Sequence, residues 1–251
     1  MDAPARLSAL VEVLQRDGRL DVAEMAASLG TAEMTIRRDL DRIVAMGMAR
    51  RVRGGAISLL MRGEELPFAM RVLDRADAKG RIAAAVAEVL LDGEAVLLDS
   101  GTTAVLIGRQ LAGRRLTVMP MSLHAASALT GHEATRLLLP GGEIRPGELA
   151  MVGPLALASI GALRFDTAVL TCCGVADNRV TTHDLGDAAV KQAMIRSAAR
   201  VVLAADSAKF RQTAMAVVAA ATEVDMIVTD TDAPPETVES LRAAGLEVRC
   251  V

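Results

Sequence analysis

The sequence lacks tryptophan and tyrosine, and phenylalanine occurs only three times among its 251 residues. The core must therefore be aliphatic, built from Ala, Val, Leu, Ile and Met. Proteins that bind single-stranded nucleic acid or RNA commonly stack the bases on aromatic side chains, and this chain has almost none to offer. The composition, 52% hydrophobic and 24% charged, is that of a globular protein and not of a disordered one.

Cysteine is almost as scarce. The three thiols belong to Cys172, Cys173 and Cys250. An odd number with two adjacent makes neither a disulfide framework nor a zinc-ligand spacing, and reduced thiols fit a cytoplasm best. The first residues include charges and no apolar stretch, so no signal peptide is expected. No uncharged apolar run reaches the roughly 18–20 residues of a membrane span. We expect a cytoplasmic protein that makes no membrane contact.

An excess of basic charge is missing too. The net charge is −3, which taken alone argues against a nucleic-acid-binding protein. The charge is unevenly spread, however: residues 1–62 contain ten arginines against eight acidic residues, and Thr31–Arg53 contains six against three. The bulk value therefore conceals a local basic patch.

Three short amphipathic helices are predicted in this basic region. Apolar residues recur at helical spacing over Ala5–Gln15 and over Val22–Leu29. Asp21, followed three residues later by a glutamate, is typical of a helix start. Gly30 ends the second helix, and the third runs from there to Gly47.

The third helix has one apolar stripe, made by Ile36, Leu40, Ile43 and Val44. The remaining surface of this helix carries Met34, Arg38 and Arg42 opposite the stripe, Thr35 at its edge and Arg37 on the flank. A short helix that is buried on one side and presents arginines on the other is what reading a DNA major groove requires. From this helix alone, a solvated basic face is an equally good interpretation.

Arginines alternate with small apolar residues over Met48–Ala56, directly after this helix. The pattern predicts a two-stranded wing whose side chains Arg50, Arg51 and Arg53 reach phosphate or the minor groove. A surface hairpin without a partner is the alternative. With the three helices, the wing makes a winged helix-turn-helix. We expect Arg38 to read a base and Arg51 to contact the DNA backbone.

These residues resemble a known family. Thr35-Ile-Arg-Arg-Asp-Leu40, Gly47, Arg50 and Gly54-Gly55-Ala56 are similar to the amino-terminal winged helix-turn-helix of the DeoR family of bacterial transcription regulators. One position departs from the family pattern, which usually has Ser three residues before Thr35, where this chain has Ala32. A serine there would cap the third helix. We expect Thr31 or Gly30 to cap it instead, at a cost of up to about 1 kcal/mol.

A second, larger domain is predicted after Arg62–Phe68, where periodicity breaks. We divide the chain into a DNA-binding domain over 1–58, a linker over 59–75 and an α/β domain over 76–251. Strands alternating with helices predict a mostly parallel sheet with helices on both faces. Strands are expected at Ala95–Leu98, Leu116–Met119, Arg136–Leu139, Ala168–Leu170, Val201–Ala205, Met226–Thr229 and Leu246–Cys250, and helices at Arg81–Leu91, Thr103–Leu111, Leu123–Leu129, Leu155–Ala162, Asp187–Ala199 and Pro235–Ala243.

Ligands of such sheets bind at the carboxyl ends of the strands. Asp99-Ser100-Gly101-Thr102-Thr103 is predicted at such an end, before a helix, and suits a phosphate or another small anion, although it is not a P-loop. An ordinary helix-capping turn is an equally good interpretation. Asp187 and Lys191, four residues apart on a helix, are most simply a surface ion pair. Lys79 is most simply a solvated residue.

The resemblance extends through this domain. In order, Lys79, Asp99–Thr103, Gly141-Gly142, Gly153, Asp166, Asp187 with Lys191, and Asp206 with Lys209 match the carboxy-terminal sensor domain of the family. That domain is similar to sugar-phosphate isomerases and CoA transferases, and in regulators it binds phosphorylated sugars. The resemblance implies effector contacts at Lys79, Asp99, Ser100, Gly101, Thr102, Thr103, Gly141, Gly142, Asp166, Asp187, Lys191 and Lys209. Pro120-Met121-Ser122 departs from the family's common Thr-Asn-Ser.

The sequence thus predicts a ligand-responsive regulator, most often a repressor, of a carbohydrate catabolism operon. Its partners are a double-stranded DNA operator and a phosphorylated sugar or similar small anion, with no metal or cofactor. A homodimer or homotetramer is expected because paired reading heads match paired half-sites. One alternative is a sugar-phosphate isomerase-like enzyme with a DNA-binding appendage, although no acid–base pair stands out by spacing. The other is an oligomerisation module with a degenerate pocket.

Overall fold

The structure, a computed structural model, describes residues 3–59 and 66–251. It divides into two units, Met1–Asp74 and Arg75–Val251. Residues 60–65 of the segment interpreted as a linker lie outside the described residues. Within the described ranges, no helix has the length and apolarity to cross a membrane.

The first unit has the predicted winged helix-turn-helix architecture. Its elements are α1 (Ala3–Asp17), β1 (Arg19–Asp21), α2 (Val22–Ser28), α3 (Glu33–Ala45), β2 (Ala49–Val52), β3 (Gly55–Ser58) and α4 (Phe68–Leu73). The wing strands β2 and β3 are antiparallel, and β1 adds a third strand beside β3 that the sequence did not predict. Leu10, Ile36, Leu40 and Ile43 are completely buried between the helices and the wing.

Gly55 fixes how the wing meets the rest of this unit. A Cβ atom built on Gly55 would lie 1.9 Å from the carbonyl oxygen of Leu20, much closer than any real contact. The register pairs Gly55 with Asp21, so the glycine allows β1 to approach β3. The second glycine of the predicted pair thus has a packing role.

The second half of the predicted linker is helical, which corrects that part of the linker assignment. Residues Phe68–Leu73 form α4, and Met70 is buried against the core of the first unit. Pro67 stands at the amino-terminal cap position. A six-residue helix is too short to show apolar periodicity, and the charge and proline before it concealed it.

The second unit is an α/β domain. Its helices are α5 (Ala76–Val89), α6 (Thr102–Leu111), α7 (Leu123–Leu129), α8 (Pro154–Gly161), α9 (Leu185–Ser197) and α10 (Pro235–Ala243). Its strands are β4 (Ala95–Leu98), β5 (Thr117–Pro120), β6 (Arg136–Leu137), β7 (Glu143–Arg145), β8 (Ala150–Val152), β9 (Phe165–Thr171), β10 (Gly174–Ala176), β11 (Arg179–Thr182), β12 (Ala198–Ala204), β13 (Ala216–Ala220), β14 (Met226–Thr229) and β15 (Glu247–Cys250).

Seven of these strands form one parallel sheet in the order β15-β14-β12-β9-β4-β5-β6. Alternate residues of each strand face opposite sides: Leu97 belongs to the apolar core that includes residues of α8, α9 and α10, whereas Val96 and Leu98 belong to the core that includes residues of α5, α6 and α7. The prediction of a mostly parallel sheet covered by helices on both faces is confirmed.

Two antiparallel additions were not predicted. Strands β7 and β8 form a hairpin, and β10, β11 and β13 form a separate sheet. Most of these strands have only three or four residues, too few to show an alternating pattern. Both additions lie next along the chain to residues of the candidate site, and each contributes side chains to it.

Candidate functional site

The exposed face of α3 carries the side chains that the sequence placed there. Met34 is 59% exposed, and Arg37, Arg38 and Arg42 are exposed as well. Thr35 is half-buried at the edge of the apolar stripe. The helix is therefore anchored on one side and presents arginines on the other, as a groove-reading helix must.

Asp39 lies on the buried side of α3 and was missed by the sequence analysis. It is 2% exposed, and its Oδ2 atom lies 2.5 Å from Nε of Arg6 on α1. Arg42 approaches the other oxygen at 3.8 Å. A carboxylate three residues after Ile36, inside the apolar stripe, was the available signal. This ion pair ties α3 to α1.

The amino-terminal cap of α3 is Ala32, which corrects the expectation of Thr31 or Gly30. Ala32 has extended backbone angles and no side chain that accepts a hydrogen bond. Thr31 instead donates its backbone N–H to the carbonyl of Ala26, and Gly30 donates to Ala27. Both residues therefore complete the end of α2. The first N–H groups of α3 have no side-chain cap.

The wing arginines occupy two different environments. Arg50 and Arg53 are exposed. The Arg51 guanidinium instead bonds the Asp41 carboxylate, with Nε at 3.0 Å and Nη2 at 2.5 Å from Oδ1. Its Nη2 also donates to the carbonyl oxygen of Arg37 at 2.5 Å.

The segment Asp99–Thr103 runs from the end of β4 into the first turn of α6, at the carboxyl edge of the parallel sheet. Gly101 is the helix cap residue with φ of 97°, a conformation suited to glycine. Asp99, Ser100, Thr102 and Thr103 are all buried. The amino end of α6, with its unsatisfied N–H groups, follows directly.

Lys191 joins this loop to α9. Its ammonium forms an ion pair with Oδ2 of Asp99, and Oδ2 of Asp187 lies 3.4 Å away. The three residues are between 0% and 4% exposed. The interpretation of Asp187 and Lys191 as a surface pair was therefore wrong, because the contact with Asp99, distant in sequence, buries both.

Hydroxyl groups complete the cluster. Thr182 Oγ1 donates to Oδ2 of Asp187 at 2.6 Å, and Ser100 Oγ lies 3.5 Å from Oδ1. The backbone N–H of Thr171 donates to Oδ2 of Asp99 at 2.8 Å. Thr171 and Thr182 were missed because each stands at the end of a strand and carries no charge that would mark it.

The charges of the cluster follow from its burial. Burial lowers the pKa of Lys191, but the Asp187 and Asp99 carboxylates overcome this and hold it above its ordinary value. Burial raises the pKa of Asp99, partly offset by Lys191. For Asp187, burial is outweighed by Lys191 and the Thr182 hydrogen bond, so its pKa is lowered. Lys191 is thus an ammonium at neutral pH, which is not a nucleophile.

Two polar atoms of the site have no hydrogen-bond partner within the described part of the chain. One is Oδ1 of Asp99 and the other is Nε of Arg145. Arg145, on β7, also helps to lower the pKa of Asp187, which places its charge near that carboxylate. Arg145 was missed by the sequence analysis, because nothing in its glycine-rich surroundings marks it.

The other predicted effector residues fall into three groups. Lys79 is 3% exposed, so the expectation of a solvated residue was wrong. Lys209 lies near Cys172 at the ends of β9 and β12, and burial raises the pKa of that thiol to about 12. Gly142 lies against the start of α8, where its Cβ would be 2.6 Å from the carbonyl oxygen of Val152. Gly141 precedes it and is exposed.

Asp166 lies apart from all of them. Its Oδ2 accepts the backbone N–H of Ala95, the first residue of β4, at 2.8 Å. Asp99 follows the last residue of the same strand. Asp166 therefore lies at the amino ends of the parallel strands and Asp99 at their carboxyl ends. The structure therefore removes Asp166 from the candidate effector site and assigns it to holding the start of β4.

The three lysines of the whole chain are Lys79, Lys191 and Lys209, all of which are candidate effector residues. The other twenty-five basic residues are arginines. Metal ligation has no comparable support: among residues 3–59 and 66–251, no group of three or more His, Cys, Asp or Glu side chains comes together.

Comparison with known families matches both units. Residues 6–60 match the DeoR-like helix-turn-helix domain, and residues 74–231 match the DeoR C-terminal sensor domain. These two matches define a DNA-binding transcription regulator with a sensor domain.

Similar proteins are named as repressors. The transcriptional repressor AccR of Agrobacterium fabrum is 32% identical over 90% of this chain and 88% of its own length. The glycerol-3-phosphate regulon repressor of Escherichia coli K12 is 29% identical over 94% of this chain and 93% of its own length. The lactose phosphotransferase system repressor of Lactococcus lactis is 30% identical over 95% of each chain. This chain belongs to the DeoR family of transcription regulators, and it is a regulator and not an enzyme.

Among solved structures, ribose 5-phosphate isomerase A from Methanocaldococcus jannaschii is similar over 55% of each chain, with a TM-score of 0.41 and 17% identity. That similarity is too distant to bear on function.

Proposed function

We propose that a phosphorylated sugar, or a related small anionic metabolite, binds at the carboxyl edge of the parallel sheet and changes the affinity of the amino-terminal unit for a double-stranded DNA operator. On this proposal the protein is a cytoplasmic repressor of a carbohydrate catabolism operon and acts as a homodimer or homotetramer. The names of the similar repressors, which refer to glycerol 3-phosphate and to lactose, support this class of genes.

The DNA side of the proposal assigns α3 to the major groove. Arg38 and Arg42, with Met34 and Thr35, face outward from its buried stripe, and Arg37 stands on the flank. Arginine offers a planar pair of donors that matches guanine, so Arg38 is the proposed base-reading residue. The exposed Arg50 and Arg53 are proposed to bind phosphate.

The effector side rests on one observation, the buried Asp99 carboxylate with its unpartnered Oδ1 at the start of α6. The amino end of a helix, with Ser100, Thr102 and Thr103 beside it, favours a phosphate group. A carboxylate oxygen with an unused lone pair requires a donor, which a sugar hydroxyl supplies. Arg145 adds positive charge nearby. An anion that also carries hydroxyl groups satisfies both requirements.

The ligand controls DNA binding only to the extent that it prefers one state of the protein. A ligand that binds the DNA-free state a hundredfold more tightly weakens DNA binding by at most that factor, about 2.7 kcal/mol. Ligand and DNA must therefore weaken each other equally in binding measurements.

The three lysines make the test specific. A full chain labelled with isotopes in lysine gives three side-chain ammonium or ε-methylene signals, each from a candidate effector residue. Titration with glycerol 3-phosphate, hexose phosphates and inorganic phosphate is expected to shift these signals for at least one phosphorylated sugar, with inorganic phosphate binding more weakly. The same compound should lower DNA affinity in fluorescence anisotropy.

A matched pair of variants completes this test. Ser100→Ala is expected to weaken binding of the phosphorylated compound. Ser127→Ala, on the exposed surface of α7, is expected to leave that binding unchanged. If no phosphorylated compound shifts the lysine signals or the unfolding midpoint, the effector assignment is wrong and the second unit serves oligomerisation alone. Light scattering of the full chain checks the expected dimer or tetramer.

A further inference from the structure

The wing strand β2 presents its two arginines to opposite sides. Successive side chains of a strand point to opposite faces. Ala49 is 2% exposed in the core, and Arg51, two residues later, lies on the same face. Arg50 lies on the other face and is exposed. Arg51 therefore faces the helices of its own unit, and Arg50 faces outward.

Arg51 contacts α3 through two acceptors. It bonds Oδ1 of Asp41 through Nε and Nη2, and Nη2 also bonds the carbonyl oxygen of Arg37. One acceptor is a side chain and the other is backbone one turn earlier in the helix. A planar guanidinium spans such a pair, whereas a lysine ammonium offers a single point of contact. Only 33% of the Arg51 side chain is exposed.

An open pocket of about 250 Å³ lies beside this contact, lined by Val22, Arg37, Arg51, Val52, Gly54 and Gly55. Two of these lining residues are glycines at the wing tip. The Arg51 bonds cross between the wing and the helix beside it.

We propose that Arg51 is a positioning residue, a clamp that fixes the wing against the reading helix, and that it is not a phosphate ligand. The clamp sets the distance between the two elements that contact DNA, so it determines affinity for the correct sequence more than affinity for DNA in general. This role rests on the proposed reading face of α3. It replaces the expectation that Arg51 contacts the DNA backbone.

The first experiment separates positioning from charge. The full chain selects its duplex from a random-sequence library, and binding to this duplex and to an unrelated duplex is measured from 50 to 200 mM salt. Arg51→Ala is expected to weaken the selected duplex about fivefold and to leave the salt dependence unchanged. Arg50→Ala, the matched control, is expected to reduce the slope of log affinity against log salt by about 0.9 for both duplexes.

Arg51→Lys gives the second readout. Lysine keeps the charge and can bind phosphate, but it has no fork with which to hold Asp41 and the Arg37 carbonyl together. We expect Arg51→Lys to lose as much affinity for the selected duplex as Arg51→Ala. Full recovery by lysine, or a salt slope reduced as in Arg50→Ala, overturns the clamp.

The third readout uses the partner carboxylate. Asp41→Asn is expected to weaken the selected duplex and to cause no further weakening in an Arg51→Ala background. Glu12→Gln removes the same charge from the exposed surface of α1 and leaves both acceptors of the clamp in place, so it should cause no such loss. If Asp41→Asn strengthens both duplexes only when Arg51 is present, Arg51 is a phosphate ligand restrained by Asp41, and the proposal fails. Arg38→Ala, measured alongside, reports separately on the reading face.

Discussion

Lys191 and Asp99 form an ion pair with both side chains almost fully enclosed, 92 residues apart in sequence. The pair joins the loop after strand β4, which lies beside the central strand β9, to helix α9. Because Asp187 shares the same ammonium, two carboxylates depend on one buried cation.

Removing that cation should destabilise the second unit severely. Lys191→Met keeps the volume but leaves two buried carboxylates unpaired, for which we expect a loss of roughly 3–5 kcal/mol in the free energy of unfolding. Urea denaturation followed by circular dichroism measures it. Arg249→Met, which breaks the more exposed pair with Glu88, is the control and should cost less than about 1 kcal/mol. Equal losses for the two variants would contradict this reading of the cluster.

The same ion pair predicts how stability changes at alkaline pH. The folded-state pKa of Lys191 is raised above 10.5. The contribution of Lys191 to the free energy of unfolding is therefore fully present below its unfolded-state pKa. This contribution is lost as the pH rises from there through the folded-state pKa. The difference in stability between the wild type and Lys191→Met should stay constant up to about pH 10 and narrow above it. The chain has no tyrosine, so no phenol titrates in this range, and the other lysines and the cysteines are common to both proteins. A difference that widens with pH would mean that Lys191 is not held as an ammonium.

Arg38 should carry sequence information. If Arg38 reads a base, Arg38→Ala should cost roughly 1–3 kcal/mol in binding the selected duplex and relax the preference at one base pair. Binding to a set of duplexes with single substitutions measures both effects. Arg16→Ala, an exposed arginine on α1 paired with its neighbour, is the control and should change neither. Unchanged protection of the selected duplex in footprinting with Arg38→Ala would mean that the reading face is wrongly assigned.

The uncapped start of α3 should be open to improvement. Ala32 already has the extended backbone of a cap residue, so Ala32→Ser can place an oxygen on the first free N–H groups of the helix. We expect the free energy of unfolding to rise by roughly 0.5–1 kcal/mol. Ala32→Gly serves as the comparison, since it supplies no such oxygen. If Ala32→Ser raises the free energy of unfolding no more than Ala32→Gly does, the first N–H groups of α3 already have other hydrogen-bond partners.

The two glycines Gly55 and Gly80 should respond to alanine with opposite signs. Gly55→Ala forces a methyl group onto the carbonyl of Leu20, and we expect the pairing of β1 with β3 to break and the first unit to lose roughly 2 kcal/mol or more. Gly80 is inside α5 with no atom near its Cβ position, so Gly80→Ala should stabilise the second unit by about 1 kcal/mol. Thermal unfolding monitored for each unit distinguishes them, and a neutral Gly55→Ala would show that the wing tolerates a wider spacing.

Features set by residues close together in sequence were predicted, whereas features set by contacts between distant residues were not. Helix α3 was found because its apolar residues repeat at the helical interval, and the parallel strands because each is a short continuous apolar run. Strands β7 and β10 have three residues each and were missed for want of either pattern.

Burial of polar residues was harder to predict. Asp187 and Lys191 carry the spacing of a surface pair, and only the contact with Asp99 makes them internal. Asp166 was placed in the site by resemblance, but the register of β4 with β9 sets it at the far edge of the sheet. Arg51 is one of several similar arginines in sequence, and only strand geometry separates its role from that of Arg50.

The positions of the paired strands in the sequence also set the order in which the two units can complete their sheets during synthesis. The first unit pairs Arg19 with Ile57, so its sheet needs only the first sixty or so residues. The central pairing of β4 with β9 joins Val96 to Thr167, and β12 completes the middle of the sheet at Ala204. At about 5–20 residues per second, a ribosome adds the chain between these points in roughly ten seconds. During that interval a growing chain has its reading helix but not the strands and helix that form the Lys191 cluster.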